Sequence, residues 1–103
     1  MKIIERHVQK LGSNQWQAYQ EREQKFAAIE ERSGSYPRKR YCGTMIGNDL
    51  GTIVWEREWE SMAAMEAGSE GLAAAPDFQE AVRMPGIESE RIELYVPFDL
   101  PNR

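Results

Sequence analysis

Apolar and polar positions alternate along Lys2-Ile3-Ile4-Glu5-Arg6-His7-Val8-Gln9-Lys10. In an extended segment Ile4 and Val8 then share one face, while Glu5, His7 and Gln9 share the other. Gly12 breaks this strand. From Trp16 the period becomes that of an amphipathic helix, with Tyr19, Phe26 and Ile29 continuing the apolar stripe. Asn14 stands three residues before Gln17, the spacing of a capping box, with Ser13 as a competing N-cap. The opposite face carries Glu21, Arg22, Lys25 and Glu31 and is expected to be solvated, with Glu21 and Lys25 in the favourable i,i+4 order. Gly34 and Pro37 end the helix.

Two runs with β-branched and aromatic character follow, Arg38 to Ile46 and Thr52 to Trp59, joined by Gly47-Asn48-Asp49-Leu50-Gly51. This is a hairpin signal. Ser61 then caps a helical stretch bearing Met62, Met65 and Leu72, weakened by Gly68 and Gly71. Pro76 interrupts it, and Asp77-Phe78-Gln79-Glu80 has the form of a second capping box leading through Val82 and Met84 to Pro85-Gly86. Ile92, Leu94 and Val96 alternate with Arg91, Glu93 and Tyr95 in a last strand that stops at Pro97. Residues 1–98 form one domain in this reading and residues 99–103 a tail.

The order β-α-β-β-α-β defines an α+β, ferredoxin-like fold: a four-stranded antiparallel sheet with two helices on one face. The opposite sheet face is then open in a monomer. Bulky apolar side chains occupy both parities of the strands (Ile3 and Ile4, Val54 and Trp55, Leu94 and Tyr95), and a sheet apolar on both faces normally has both covered. Homodimerisation by packing sheet against sheet would cover it.

Composition narrows the picture. The 103 residues, 41% of them apolar, supply one packed core and no second domain. The longest apolar runs, such as Leu72-Ala73-Ala74-Ala75, fall far short of the roughly 20 residues that span a bilayer. Charges follow directly after Ile3 and Ile4, so the start has no secretory h-region, and a cytoplasmic protein is expected. The single cysteine, Cys42, cannot form an intramolecular disulfide, which fits a reducing compartment. A net charge of −4 and the lack of a ribonucleoprotein motif set the one basic run, Arg38-Lys39-Arg40, against nucleic-acid binding; solvated edge-strand charge is the expected role. One His and one Cys cannot build the usual zinc site, and no phosphate loop or G-x-S-x-G elbow occurs.

Four strings carry a family resemblance: Ile4-Glu5-Arg6-His7 leading to Lys10-Leu11-Gly12, Gly51-Thr52-Ile53-Val54-Trp55, Glu58-Trp59-Glu60-Ser61-Met62, and Ala75-Pro76-Asp77-Phe78. Together, over residues 3 to 97, they resemble the NIPSNAP-like branch of the dimeric α/β-barrel superfamily. The family pattern commonly has an arginine early in the second helix, where this chain has Met62, Ala63 and Ala64. The resemblance implies a homodimer in which two sheets close into a barrel, with a ligand cleft between each sheet and its helices. The superfamily includes cofactor-independent monooxygenases, haem-degrading enzymes, dehydratases and proteins without known activity, so the fold selects no reaction by itself.

His7 is the only histidine, and its i,i+2 spacing from Glu5 brings both side chains to one face. A neutral imidazole beside a carboxylate serves as a general base or as an axial haem ligand. The plainer reading is a histidine hydrogen-bonded across strands or lining the barrel. Trp55, Arg57 and Trp59 alternate with Glu56 and Glu58, so the first set forms either an aromatic, cation-π grip on a planar ligand or ordinary core. Glu56 and Glu58, with Glu5, are expected to pair with Arg38 or Arg40, and Arg6 needs a partner in its central strand. Met62, Met65, Phe78 and Met84 form a soft wall that suits an apolar ligand or a core under an irregular helix. If there is catalysis, His7 and Glu5 are the first candidates. Trp16, Tyr19, Tyr36 and Trp55, with Met62, Met65 and Phe78, are the ligand-binding ones. No metal or cofactor is expected unless the haem branch applies. Two functions stand side by side: a protein binding or oxidising a small apolar or aromatic ligand, and a non-enzymatic interaction domain.

Overall fold

Alternation in the first strand produces β1 (Ile3–Leu11), which pairs antiparallel on both sides and so lies inside the sheet. The computed structural model describes residues 1–101, and the last two residues of the expected tail, 102 and 103, lie outside the described residues. The chain continues through α1 (Trp16–Ser33), β2 (Arg40–Gly43), β3 (Thr52–Trp59), α2 (Met62–Ala73), α3 (Phe78–Arg83) and β4 (Ile87–Tyr95). The sheet order is β2-β3-β1-β4. Pro76 divides the second helical segment as its sequence predicts, so the ferredoxin-like order carries three helices rather than two.

Registers assign the faces. Glu5 stands opposite Arg57 and Leu94, and His7 opposite Trp55 and Ile92. Ile3 and Gln9 on this same face are 1% exposed, Trp55 3% and Trp59 4%, which marks it as the side covered by helices. Arg6, opposite Glu56 and Glu93, belongs to the open face together with Val8, Val54 and Tyr95. Arg6 finds its expected partner in Glu56, 3.1 Å away. Glu5 is not a partner of Arg38 or Arg40: antiparallel pairing puts it on the face of Arg57, not with Glu56 and Glu58.

Two caps differ from the sequence reading. Asn14 adopts φ 58°, which removes it from the extended geometry of an N-cap, and α1 starts after Gln15 with no side-chain cap. Asp77 precedes α3 without capping it, because its carboxylate accepts two 2.8 Å hydrogen bonds from Arg32. Ser61 does cap α2, accepting from the Ala64 N–H at 3.0 Å. The strand expected over Arg38 to Ile46 is only four residues long. Its partner β3 begins at Thr52, so Met45 and Ile46 have no strand to pair with and stand about nine-tenths exposed.

The apolar core is concentrated where α1 meets α3. Phe26, Ile29 and Ala81 form it, with Leu72, Ala75 and Phe78 against them. Closer to the sheet, polar groups take over between the layers.

Candidate functional site

Glu5 is the hub of the polar layer. One carboxylate oxygen accepts from His7 Nε2 at 2.6 Å; the other accepts from Arg57 Nε at 3.0 Å and Trp59 Nε1 at 2.8 Å. Burial raises the pKa of Glu5, but these donors outweigh it and hold the group down at about 2. His7 reaches a second carboxylate through Nδ1, which lies 3.1 Å from Glu90. A carboxylate only accepts, so both contacts are hydrogen bonds when both ring nitrogens carry protons. Burial lowers the pKa of His7, yet the bonds to Glu5 and Glu90 outweigh it and raise the group above its ordinary value. The two-carboxylate clamp thus favours the imidazolium form of His7, whose ring lies flat on Trp55.

The network extends in both directions. Toward β4, Gln9 donates to Glu90 at 2.6 Å and accepts from the Tyr19 hydroxyl at 2.7 Å. Toward α1, Arg57 donates from Nη1 to Glu30 at 3.0 Å. Lys39 lies 3.6 Å from Glu30 and 3.4 Å from Glu23, with its ammonium 4.3 Å from the centre of the Trp55 ring. Arg22 closes on Glu23 at 3.1 Å. Lys39 is therefore not the solvated edge charge its basic run suggests, since its side chain is 12% exposed and paired twice. Arg22, expected on a solvated face, is likewise 13% exposed.

Between this polar floor and the helices lies a cavity of about 300 Å³. Glu5, His7, Trp55 and Arg57 line it from the sheet, and Phe26, Leu72, Phe78 and Val82 form an apolar wall. Four carboxylates (Glu5, Glu23, Glu30, Glu90) and four basic side chains (His7, Arg22, Lys39, Arg57) line it, each engaged with at least one of the others. Two fully buried polar atoms of lining residues make no hydrogen bond: Glu30 Oε2, which faces the Lys39 ammonium at 3.6 Å, and Trp55 Nε1. Ion pairs out of water cost desolvation comparable to their attraction, so such a layer is a weak source of stability. It does supply fixed charges around a partly apolar space, the usual character of a ligand site.

Of the sequence candidates, His7, Glu5, Trp55 and Phe78 meet at this cavity. Tyr19 touches the network through Gln9, but its ring joins Trp16 in a separate groove between α1 and β2, where Trp16 is 56% exposed. Tyr36 lies elsewhere, donating to the Gly68 carbonyl at 2.8 Å and meeting Trp59 edge-on. Met62 and Met65 do not line the cavity because α2 presents Ser69 and Leu72 there. Met62 is ten residues, about 15 Å of helix, away from Leu72. The sequence reading missed Glu23, Glu30 and Glu90. The first two had a legible signal: positions 19, 23, 26 and 30 follow the i+4, i+3, i+4 steps of one helical stripe, the buried one. Among the described residues no three His, Cys, Asp or Glu side chains form a metal site, and no helix is long and apolar enough to cross a membrane.

No family model and no curated protein matches this chain. Solved structures do. An uncharacterised NIPSNAP-like domain protein from Burkholderia xenovorans superposes with a TM-score of 0.75 at 22% identity, over 99% of this chain and 90% of its own. A NIPSNAP family protein from Agrobacterium tumefaciens gives 0.76 at 20% identity, with both chains fully covered. SnoaB, a cofactor-independent oxygenase from Streptomyces nogalater, gives 0.67 at 10% identity over 99% of this chain and 98% of its own. The chain therefore has the fold of the NIPSNAP-like proteins and of this oxygenase, as its sequence resemblance implied.

Proposed function

We propose that this protein binds a small, partly apolar molecule in the cavity between sheet and helices, as a homodimer whose open sheet faces pack together. The cavity carries the reading, with Phe26, Leu72, Phe78 and Val82 opposite the ordered charges of Glu5, His7 and Arg57. Titration with bicyclic aromatic probes, followed by amide and indole NMR shifts, tests it. Saturable shifts at Leu72, Phe78, Val82 and Trp55 are expected. An absence of such shifts across the panel at millimolar probe overturns the reading.

The dimer is supported by shape. The subunit measures 48 × 36 × 16 Å with a radius of gyration of 14.9 Å, against about 13 Å for a compact domain of this length. It exposes 7311 Å², against about 6,000 Å² for a compact monomer of this mass. The surplus exceeds the roughly 800 Å² that each partner buries in a standard interface.

Oxidation of the bound molecule without a cofactor is the second reading, favoured by the fold shared with SnoaB. It needs a base in the cavity. His7 is one only in its neutral form, which the carboxylates at its two ring nitrogens disfavour, so binding is the function the geometry supports best. Haem forms no part of this reading, because an axial ligand needs a free imidazole nitrogen and both of His7 are engaged. Oxygen uptake on adding a bound probe would move the assignment from binding to oxidation.

A further inference from the structure

We infer that the open sheet face recognises a second copy of this chain about a two-fold axis that runs parallel to the strands and passes between β1 and β3. This rests on the homodimer proposed above and assigns its geometry. A row of alternating charge crosses all four strands. Arg40 of β2 stands opposite Glu56 of β3, Glu56 opposite Arg6 of β1, and Arg6 opposite Glu93 of β4. Directly opposed residues point to the same side of a sheet, here the side without helices. Arg6 Nε lies 3.1 Å from Glu56 and Arg6 Nη1 4.0 Å from Glu93, so the inner members already form one ordered string. Arg6, Glu56 and Glu93 stay partly exposed and Arg40 is exposed, which leaves each of them capacity for a further partner.

Symmetry decides what that row can meet. A two-fold rotation about an axis along the strands reverses the order of the strands, so plus, minus, plus, minus meets minus, plus, minus, plus. Arg40 then faces Glu93 of the partner subunit, and Arg6 faces the partner's Glu56. An axis lying on a strand would set each charge against its own sign. One between β1 and β4, or between β2 and β3, would leave half the row unopposed. An axis across the strands sets Arg6 on the partner's Arg6, or, shifted toward a neighbouring row, on the partner's Val8 or Ile4, where its charge loses water and gains no counter-charge. The next row favours the same choice. Cys42, Val54, Val8 and Arg91 stand side by side, and the rotation along the strands brings Val54 against the partner's Val8. Facing sheets pack about 10 Å apart and cross at about 30°, a gap and an offset that Arg and Glu side chains span together. Opposed charges of this kind fix register and reject wrong partners more than they add affinity.

Native mass spectrometry of the full chain, with one partner of each mixture isotope-labelled, tests the axis. Arg6→Glu and Glu56→Arg each place like charges at both inner contacts, and each should raise the dimer dissociation constant about a hundredfold. Mixed in equal amounts, these two variants should assemble as heterodimers close to the parent in strength. The double reversal Arg6→Glu with Glu56→Arg restores the complement: it should form homodimers yet exchange little with the parent, against which both inner contacts carry like charge. Where an inner variant loses the native amide spectrum, Arg40→Glu and Glu93→Arg repeat the mixing test on the outer contacts. Dimers indifferent to the single reversals overturn the axis and leave the homodimer standing. So does a mixture that fails to recover, or a double variant that prefers the parent to itself. A parent that remains a single chain overturns the homodimer and the axis with it.

Discussion

The imidazole of His7 lies parallel to the indole of Trp55, ring centres 3.9 Å apart and planes 12° from coincident, with a carboxylate at each imidazole nitrogen. A cation over an aromatic face is attracted by the ring quadrupole, so the stack and the two carboxylates favour the same protonated form. The geometry favours positive charge on His7 at the junction of β1, β3 and β4.

Removing that charge should be costly. His7→Ala leaves Glu5 with Arg57 and Trp59 but strips Glu90 of its cationic partner, and a loss of roughly 3 kcal/mol is expected in urea denaturation. In the same variant the pKa of Glu5, read by carbon NMR, should rise from about 2. A variant as stable as the parent would show that the clamp contributes nothing.

Stability should depend on pH from both sides of this pair. Glu5 is held below its ordinary 4.5, so its contribution is present above pH 4.5 and is lost as the pH falls to about 2. A shift of that size corresponds to on the order of 3 kcal/mol. His7 is raised above its ordinary 6.5, so its contribution is complete below pH 6.5 and is lost as the pH climbs through the folded value. Melting temperature against pH should therefore be highest between 4.5 and 6.5. In His7→Gln the alkaline decline should vanish and the acid one shrink.

Two glycines of α2 should respond in opposite ways to alanine. A Cβ at Gly68 would sit 2.4 Å and 2.9 Å from ring carbons of Trp59, which cannot swing aside while its indole donates to Glu5. Gly68→Ala should cost about 2 kcal/mol despite the helix propensity it gains. At Gly71 the nearest atom is the Tyr36 hydroxyl at 3.2 Å, the far end of a flexible side chain. Gly71→Ala should be neutral or stabilising by up to about 1 kcal/mol. Chemical denaturation of the two variants side by side decides it.

If the open sheet faces pack together, Val54 lies within the contact. It pairs with Val8 on one side and Cys42 on the other, near the middle of that face. Val54→Asp should convert a species of twice the chain mass into one of the chain mass in sedimentation, while the shifts of Leu72 and Phe78 with bicyclic aromatic probes persist. A parent that sediments as a single chain would refute the dimer.

The order of elements was legible because each strand and helix carries its own period. Which strand face meets the helices was not, since Ile3 and Ile4, or Val54 and Trp55, are equally apolar and periodicity separates faces without ranking them. The answer lies in cross-strand register: Glu5 falls opposite Arg57, 52 residues away. The same limit hid the site. His7, Glu5 and Trp55 were visible as residues of one face, but Glu30 and Lys39 join them only through tertiary folding. Arg38-Lys39-Arg40 reads as uniform charge, whereas the fold half-buries its middle member and leaves the outer two exposed.

The ion layer between α1 and the sheet has a thermal consequence. Exposing apolar surface raises the heat capacity on unfolding and exposing polar surface lowers it. An interior held by Arg57 to Glu30, Lys39 to Glu23 and Tyr19 to Gln9 should give a heat-capacity increment below the ordinary 12–15 cal/mol/K per residue. The stability of the folded chain should then change slowly with temperature, along a curve broader and flatter than that of a greasy core of equal size.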